Sequence, residues 1–276
     1  MKFERLEYMV ALSKTPQTLI IDTAGDATFT SYTNAQTPER PEIGVYRTVL
    51  PASEITSLQR LLATPPVADL PDHSGRVLSG DQTRLLRLAL KTQTIAKFVG
   101  TTEPVDQNLD RDFAKLDAVV HQVQEHPLAV LQFRIFQSVL DPSGTLRLNA
   151  GFSNLGIQTL YCRNPQDILD AGEKMDGRLI VTIWPDKPLS ELEADDIVTL
   201  KVQEVKQLFV HEKVVISPEV VEIPPGGWIQ FEFSVSCGLK TTDGYVIRAT
   251  YANELHKKTA NGKPLIVGEI LSRLSP

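Results

Sequence analysis

From residue 128 to the end of the chain, apolar and polar residues alternate with a period of two. Leu131, Phe133 and Ile135 alternate with Gln132 and Arg134. After the turn residues Asp141, Pro142, Ser143 and Gly144, the pattern resumes at Leu146, Leu148, Ala150 and Phe152. It is cleanest near the end, where Ile229, Phe231, Phe233 and Val235 alternate with Gln230, Glu232, Ser234 and Ser236. Asp243 and Gly244 then turn the chain into Tyr245, Ile247, Ala249 and Tyr251. Successive side chains of a strand point to opposite faces, so this is the pattern of half-buried antiparallel strands. Residues 159–163 and 179–184 predict two more strands, while 197–210 reads as a strand or a short helix. Short strands divided by turns predict an all-β sandwich over residues 127–276.

The first half reads differently. Residues 18–22 and 27–33 form a predicted hairpin around Ala24, Gly25 and Asp26, and a loop over 34–41 with Pro38 and Pro41 leads to a third strand over 43–50. Pro51 suits the start of a helix because its missing N–H is not needed there, and Ile55, Leu58, Leu61 and Leu62 give that helix one apolar stripe. Residues 64–80 are rich in Pro, Gly, Asp and Ser and predict a long loop. A second hairpin is expected from 83–90 and 94–99. A helix over 108–124 follows, with Phe113, Leu116, Val120 and Val123 on one face and Asp117, His121 and Glu125 on another. The order β-β-β-α-β-β-α predicts a small α+β domain over 1–126, with His126 and Pro127 ending the helical period.

At 276 residues, 42% hydrophobic and 22% charged, the chain has the composition of a folded, water-soluble protein of two domains. Its formal net charge is −6 and its Lys and Arg form no stripe, so no nucleic-acid partner is expected and a basic protein partner fits the overall charge better. Glu4, Arg5, Glu7 and Lys14 interrupt the N-terminal apolar residues, and no stretch approaches the ~20 apolar residues of a membrane-spanning segment. The expected location is cytoplasmic, or periplasmic or extracellular if an export signal was removed. Cys162 and Cys237 are the two cysteines. They read as two inert, buried thiols or as a bridge across the sandwich.

VISPEVVEIPPGG at 215–227 and DGYVIRATYAN at 243–253 resemble the closing strands of bacterial immunoglobulin-like modules. The likeness covers about the last sixty residues by motif and the preceding eighty by pattern. It implies that Tyr245 is a corner tyrosine, its ring buried and its hydroxyl bonded to nearby backbone. Val235 stands where antibody-type domains carry a tyrosine, and no function comes with the resemblance. The element order of the first half is similar to that of an uncharacterised bacterial α+β domain that opens with a Cys-containing motif, which is absent here.

Signals for chemistry are sparse. No Gly-x-Ser-x-Gly elbow exists, Gly226 and Gly227 precede a strand rather than a helix, and His211 with Glu212 lacks the second histidine of a zinc-protease signature. Asp117, His121 and Glu125 share a helix face at a spacing that suits metal ligands, but a solvated face is the simpler reading. No catalytic residue, cofactor or metal is therefore assigned. Trp184 and Trp228, at predicted strand ends, are expected to serve packing. Asp69, Asp72, His73 and Arg76 in the long loop are the residues expected to contact a partner. The chain is expected to be a non-enzymatic protein-binding module of inhibitor, immunity or adaptor type. The alternatives are a hydrolase-type enzyme with an interdomain site using His73, His121 or His126, and an envelope-associated structural module.

Overall fold

The structure is a computed structural model and describes residues 2–12, 15–31, 44–65, 67–70, 82–91, 93–99, 107–171, 177–187, 191–253, 265 and 268–274. It is mostly β, with antiparallel sheets and few helices. The described residues up to 128 form one compact unit and those from 129 onward a second.

The first unit contains β1 (Arg5–Leu12), β2 (Thr15–Asp22), β3 (Asp26–Ser31), β4 (Gly44–Val49), α1 (Ala52–Leu61), β5 (Gln82–Ala89), β6 (Thr94–Val99) and α2 (Gln107–Glu125). Its strands lie in the order β4-β3-β2-β1-β5-β6. The sequence reading assigned no element to β1, which pairs with both β2 and β5. Leu6 and Tyr8 are buried while Arg5 and Glu7 are half-buried, so the period-two signal was present in that segment. The β2–β3 turn requires a glycine: Gly25 has φ 86°, and a Cβ there would lie 2.4 Å from the Leu50 carbonyl oxygen. Asp22 closes that turn by accepting the N–H groups of Ala24 and Asp26.

Helix α1 buries Ile55, Leu58 and Leu61 as its stripe predicts. Helix α2 buries Phe113, Leu116, Val119 and Val123, so Val119 takes the place expected for Val120, which is half-buried. The Tyr8 hydroxyl donates to Asp117 at 2.7 Å and its ring stacks on Phe113, locking α2 to β1. The first part of the long loop is packed rather than free. Val67 is buried, and the Lys97 ammonium donates to the carbonyls of Ala68 and Leu70 at 3.0 and 2.6 Å. Residues 71–80 of that loop, and the expected loop at 34–41, lie outside the described residues.

The second unit comprises β7 (Ala129–Leu140), β8 (Thr145–Asn154), β9 (Leu160–Arg163), α3 (Pro165–Ala171), β10 (Gly177–Pro185), β11 (Val198–Lys201), β12 (Glu204–Val210), β13 (Val215–Ile216), β14 (Val220–Ile223), β15 (Trp228–Ser236), β16 (Tyr245–Asn253) and β17 (Gly268–Leu274). Strands β12, β15, β8 and β7 are neighbours in that order, as are β11, β10, β16 and β17, while β13, β14 and β9 form a small third sheet. Residues 197–210 are two strands rather than one element. The chain breaks at Val202 and Gln203, so that β11 pairs with β10 and β12 pairs with β15.

The core follows the predicted parity. Phe133, Phe152, Phe231 and Phe233 are buried, and the Phe152 ring lies 4.9 Å from Phe133 and 4.8 Å from Tyr251 of the other sheet. Strand β16 departs from the half-buried pattern. As an inner strand it is covered on both faces, with Val246, Thr250 and Ala252 buried along with Ile247, Ala249 and Tyr251. Helix α3 was not expected. Its start carries a usable signal, with Pro165 at the first helical position and the Asn164 side chain accepting the Gln166 N–H.

Candidate functional site

Of the four residues expected to contact a partner, Asp69 is exposed in the turn that Lys97 holds, whereas Asp72, His73 and Arg76 lie outside the described residues. Asp117 is engaged, accepting from Tyr8 and pairing with Arg84 at 3.2 Å, while His121 and Glu125 are exposed. Burial, with the neighbouring Asp117 adding to it, pushes the Tyr8 hydroxyl well above its usual range, so it acts as a fixed donor. Among the described residues no group of three or more His, Cys, Asp or Glu gathers to hold a metal ion, and no helix is long and apolar enough to cross a membrane. An open groove of about 340 Å³ between α1 and α2 is lined by Glu54, Ser57, Arg60 and Lys115 among others, with charges of both signs.

Tyr245 is half-buried, and the tyrosine that buries its ring and bonds backbone is Tyr251, whose hydroxyl donates to the Arg163 carbonyl at 2.8 Å. Arg163 is itself fully buried, its Nε donating to Asp167 at 2.7 Å. Cys162 and Cys237 are free thiols. Cys162 is buried beside Tyr251, and its loss of hydration pushes the thiol up to about 12. Cys237 is half-buried at the end of β15, not buried as expected. Trp184 is buried, with the Arg248 guanidinium 5.4 Å from its ring centre.

Trp228 does not pack as expected. It is 39% exposed, and it stands with Phe209, 62% exposed, and Phe136, 49% exposed, on the face of the β12-β15-β8-β7 strands opposite the aromatic core. Phe136 keeps the outward parity of Gln132 and Arg134 on β7, and a bulge brings Phe209 to the same face. Ile135 pairs with Ala150 and Gln137 with Asn149, leaving Phe136 as an extra residue. Gln207 pairs with Phe231 and Phe209 with Gln230, leaving Leu208 extra and turning Phe209 to the side opposite its alternation. A bulge re-aims side chains in this way.

The rings share one face. Phe209, Gln230, Gly151 and Arg134 are consecutive cross-strand partners on β12, β15, β8 and β7. A Cβ on Gly151 would lie 2.9 Å from the Phe136 ring, so the missing side chain lets that ring lie down on β8. Strand spacing places Phe209 roughly 10 Å from Gly151. Trp228 lies one residue pair along from Gln230, cross-strand from Ser153 and edge-on to His211 at 6.4 Å. The intervening side chains are polar and mostly uncharged: Gln132, Asn149, Gln137 and Ser153, tied by bonds from Ser153 to Gln132 and from Asn149 to Gln137.

Exposed aromatic rings set among polar side chains on one sheet face suit non-covalent contact. Sequence reasoning singled out Trp228 but missed Phe136, which carries on the polar parity of Gln132 and Arg134, and Phe209, whose bulge no local residue pattern announces. A comparison with known protein families and with curated proteins finds no match for this chain, so the face is read from its own geometry.

Proposed function

We propose that the protein is a non-enzymatic protein-binding module of inhibitor, immunity or adaptor type, an α+β domain followed by an immunoglobulin-like sandwich that engages its partner through Phe136, Phe209 and Trp228. The observation that carries this reading is the exposure of three aromatic rings on one sheet face, one of them, Phe209, aimed outward by a bulge. Aromatic anchors dominate the energetics of protein interfaces. The crossing of the chain from β11 to β12, the ring contact between Phe152 and Tyr251, and the buried Tyr251 hydroxyl support the sandwich. Two free thiols fit a reducing compartment such as the cytoplasm.

The test immobilises the full chain and, separately, a Phe209→Ser/Trp228→Ser variant, and compares what each retains from a bacterial lysate. A defined protein held by the first and released by the second supports the reading. Equal retention by both would sink it.

A further inference from the structure

We infer that the partner reads this face with a carboxylate, an acidic side chain flanked by apolar ones, seated so that its oxygens meet Arg134 while its neighbours cover the rings. The inference rests on the binding reading above and names the chemistry of the partner. Arg134 lies on β7 opposite Gly151, exposed, with its guanidinium 5.9 Å from the centre of the Phe136 ring. It has no acidic partner among the described residues. The neighbouring arginine on the same face, Arg147, pairs with Asp141 at 3.6 Å, and Arg47, Arg84 and Arg163 each hold an aspartate.

The geometry makes the charge unavoidable. The guanidinium rests against Phe136, so a surface that covers the ring also takes Arg134 out of water. An unpaired cation is costly to desolvate, and the penalty is offset when the partner supplies an anion with good hydrogen-bond geometry. A guanidinium stacked on an aromatic ring keeps its fork of donors presented edgewise, which matches a carboxylate in two parallel bonds. The carboxylates on this face do not fill that role. Glu232 lies one residue pair from Gln230 along β15 and faces Lys206 across the strands. The whole-chain charge of −6 suggests a basic partner, but contact is decided by local charge, and beside the rings that charge is positive. A neutral glycan would stack on the rings and leave the guanidinium without a counter-charge. A nucleic acid would need several cations along its path.

The probe is a displayed library of random twelve-residue peptides, selected on the full-length protein and counter-selected on the Phe209→Ser/Trp228→Ser variant. The expected result is a set of ring-dependent peptides rich in Asp or Glu next to aromatic or aliphatic residues. Arg134→Glu should weaken their binding at least about tenfold, Arg134→Lys less, and replacing the peptide acid by Lys should restore binding to Arg134→Glu. Arg134 is exposed, so thermal melting of these variants should match the parent. Ring-dependent peptides that carry no acid, or that are indifferent to Arg134→Glu, overturn the carboxylate inference and leave the binding face standing. The absence of any ring-dependent peptide overturns both. Self-association abolished by the Phe209→Ser/Trp228→Ser pair, or retardation in a gel of neutral polysaccharide, would assign the rings to a different occupant and likewise overturn it.

Discussion

The two faces of the β12-β15-β8-β7 strands use the same residue type for opposite ends. On one face Phe133, Phe152, Phe231 and Phe233 touch one another and are at most 2% exposed; on the other Phe136 and Phe209 stand in water at 49% and 62%. The buried set follows simple alternation. In the exposed set Phe136 follows the polar parity of its strand, whereas Phe209 stands outside because a bulge breaks the alternation at Leu208. Burial of the first set drives folding through the removal of apolar surface from water, whereas the second set stays about half or more in water and contributes less. Where a ring stands relative to the pleat therefore decides how much it contributes to stability in this sheet.

The sharpest way to break the comparison is to truncate the central core ring. Phe152 contacts Phe133, Phe231 and Tyr251 and has no room to be replaced by water. Phe152→Ala should cost about 3–5 kcal/mol, read as a lowered denaturant midpoint. A loss under about 1 kcal/mol would mean that the inner face is loosely packed and that the contrast between the faces is weak.

The two thiols extend the comparison from rings to titratable groups. Burial disfavours the thiolate of Cys162, raising its folded value from 9.0 to about 12. The unfolded chain then loses this proton first as pH rises, so unfolding becomes easier. The stability held by the buried thiol is complete below pH 9.0 and is lost as pH rises toward about 12. Tyr8 and Tyr251, also raised by burial, add to the decline from about pH 10 upward. Denaturant midpoints of the parent and of Cys162→Ala, measured below and within that window, should converge as pH rises. Parallel curves would contradict the buried-thiol assignment. A thiol reagent should label Cys237 in the folded protein and reach Cys162 on unfolding.

Gly151 links the two faces, because it lies in a core strand yet supports an exposed ring. An added methyl would meet the Phe136 ring at 2.9 Å and the Ile229 carbonyl oxygen at 2.8 Å. Gly151→Ala should cost about 1–3 kcal/mol by forcing those atoms apart. Combining it with Phe136→Ala removes the flexible obstacle and leaves the backbone one. The double variant should therefore recover part of the loss, and strict additivity in a mutant cycle would show that the ring does not lie on the glycine.

The buried face was legible in the sequence because period two and burial are the same fact seen twice. Phe231 and Phe233 declare their side through Gln230, Glu232 and Ser236. Strand β1 is legible in principle, since Leu6 and Tyr8 alternate with Arg5 and Glu7. Helix α3 was announced by Asn164 and Pro165, in a stretch too short to show helical period. The exposed aromatic face was legible only in part: Phe136 and Trp228 keep the polar parity of their strands, but Phe209 does not declare its side. Leu208 carries no residue signal for a bulge, and without the bulge Phe209 continues the core parity of Val205 and Gln207. Only the pairing partners on β15 reveal the flip, and they are distant in sequence. The fixed charge of Arg134 likewise acquires meaning from Phe136 and from the absence of a carboxylate opposite it.

The smallest expected effect is the most telling. Phe209 is 62% exposed on β12, a strand that ends the order of its sheet. Phe209→Ser removes a ring with few protein neighbours, so stability should change by no more than about 0.5 kcal/mol in either direction. The comparable change on the other face, Phe231→Ala, should cost about 3–5 kcal/mol although the two residues sit on adjacent strands. If Phe209→Ser proved as damaging as Phe231→Ala, its ring would belong to the core and the bulge at Leu208 would not have turned it outward. If stability is untouched while partner binding disappears, the ring is held in solvent for recognition, because nothing in the folding of the sheet requires it there.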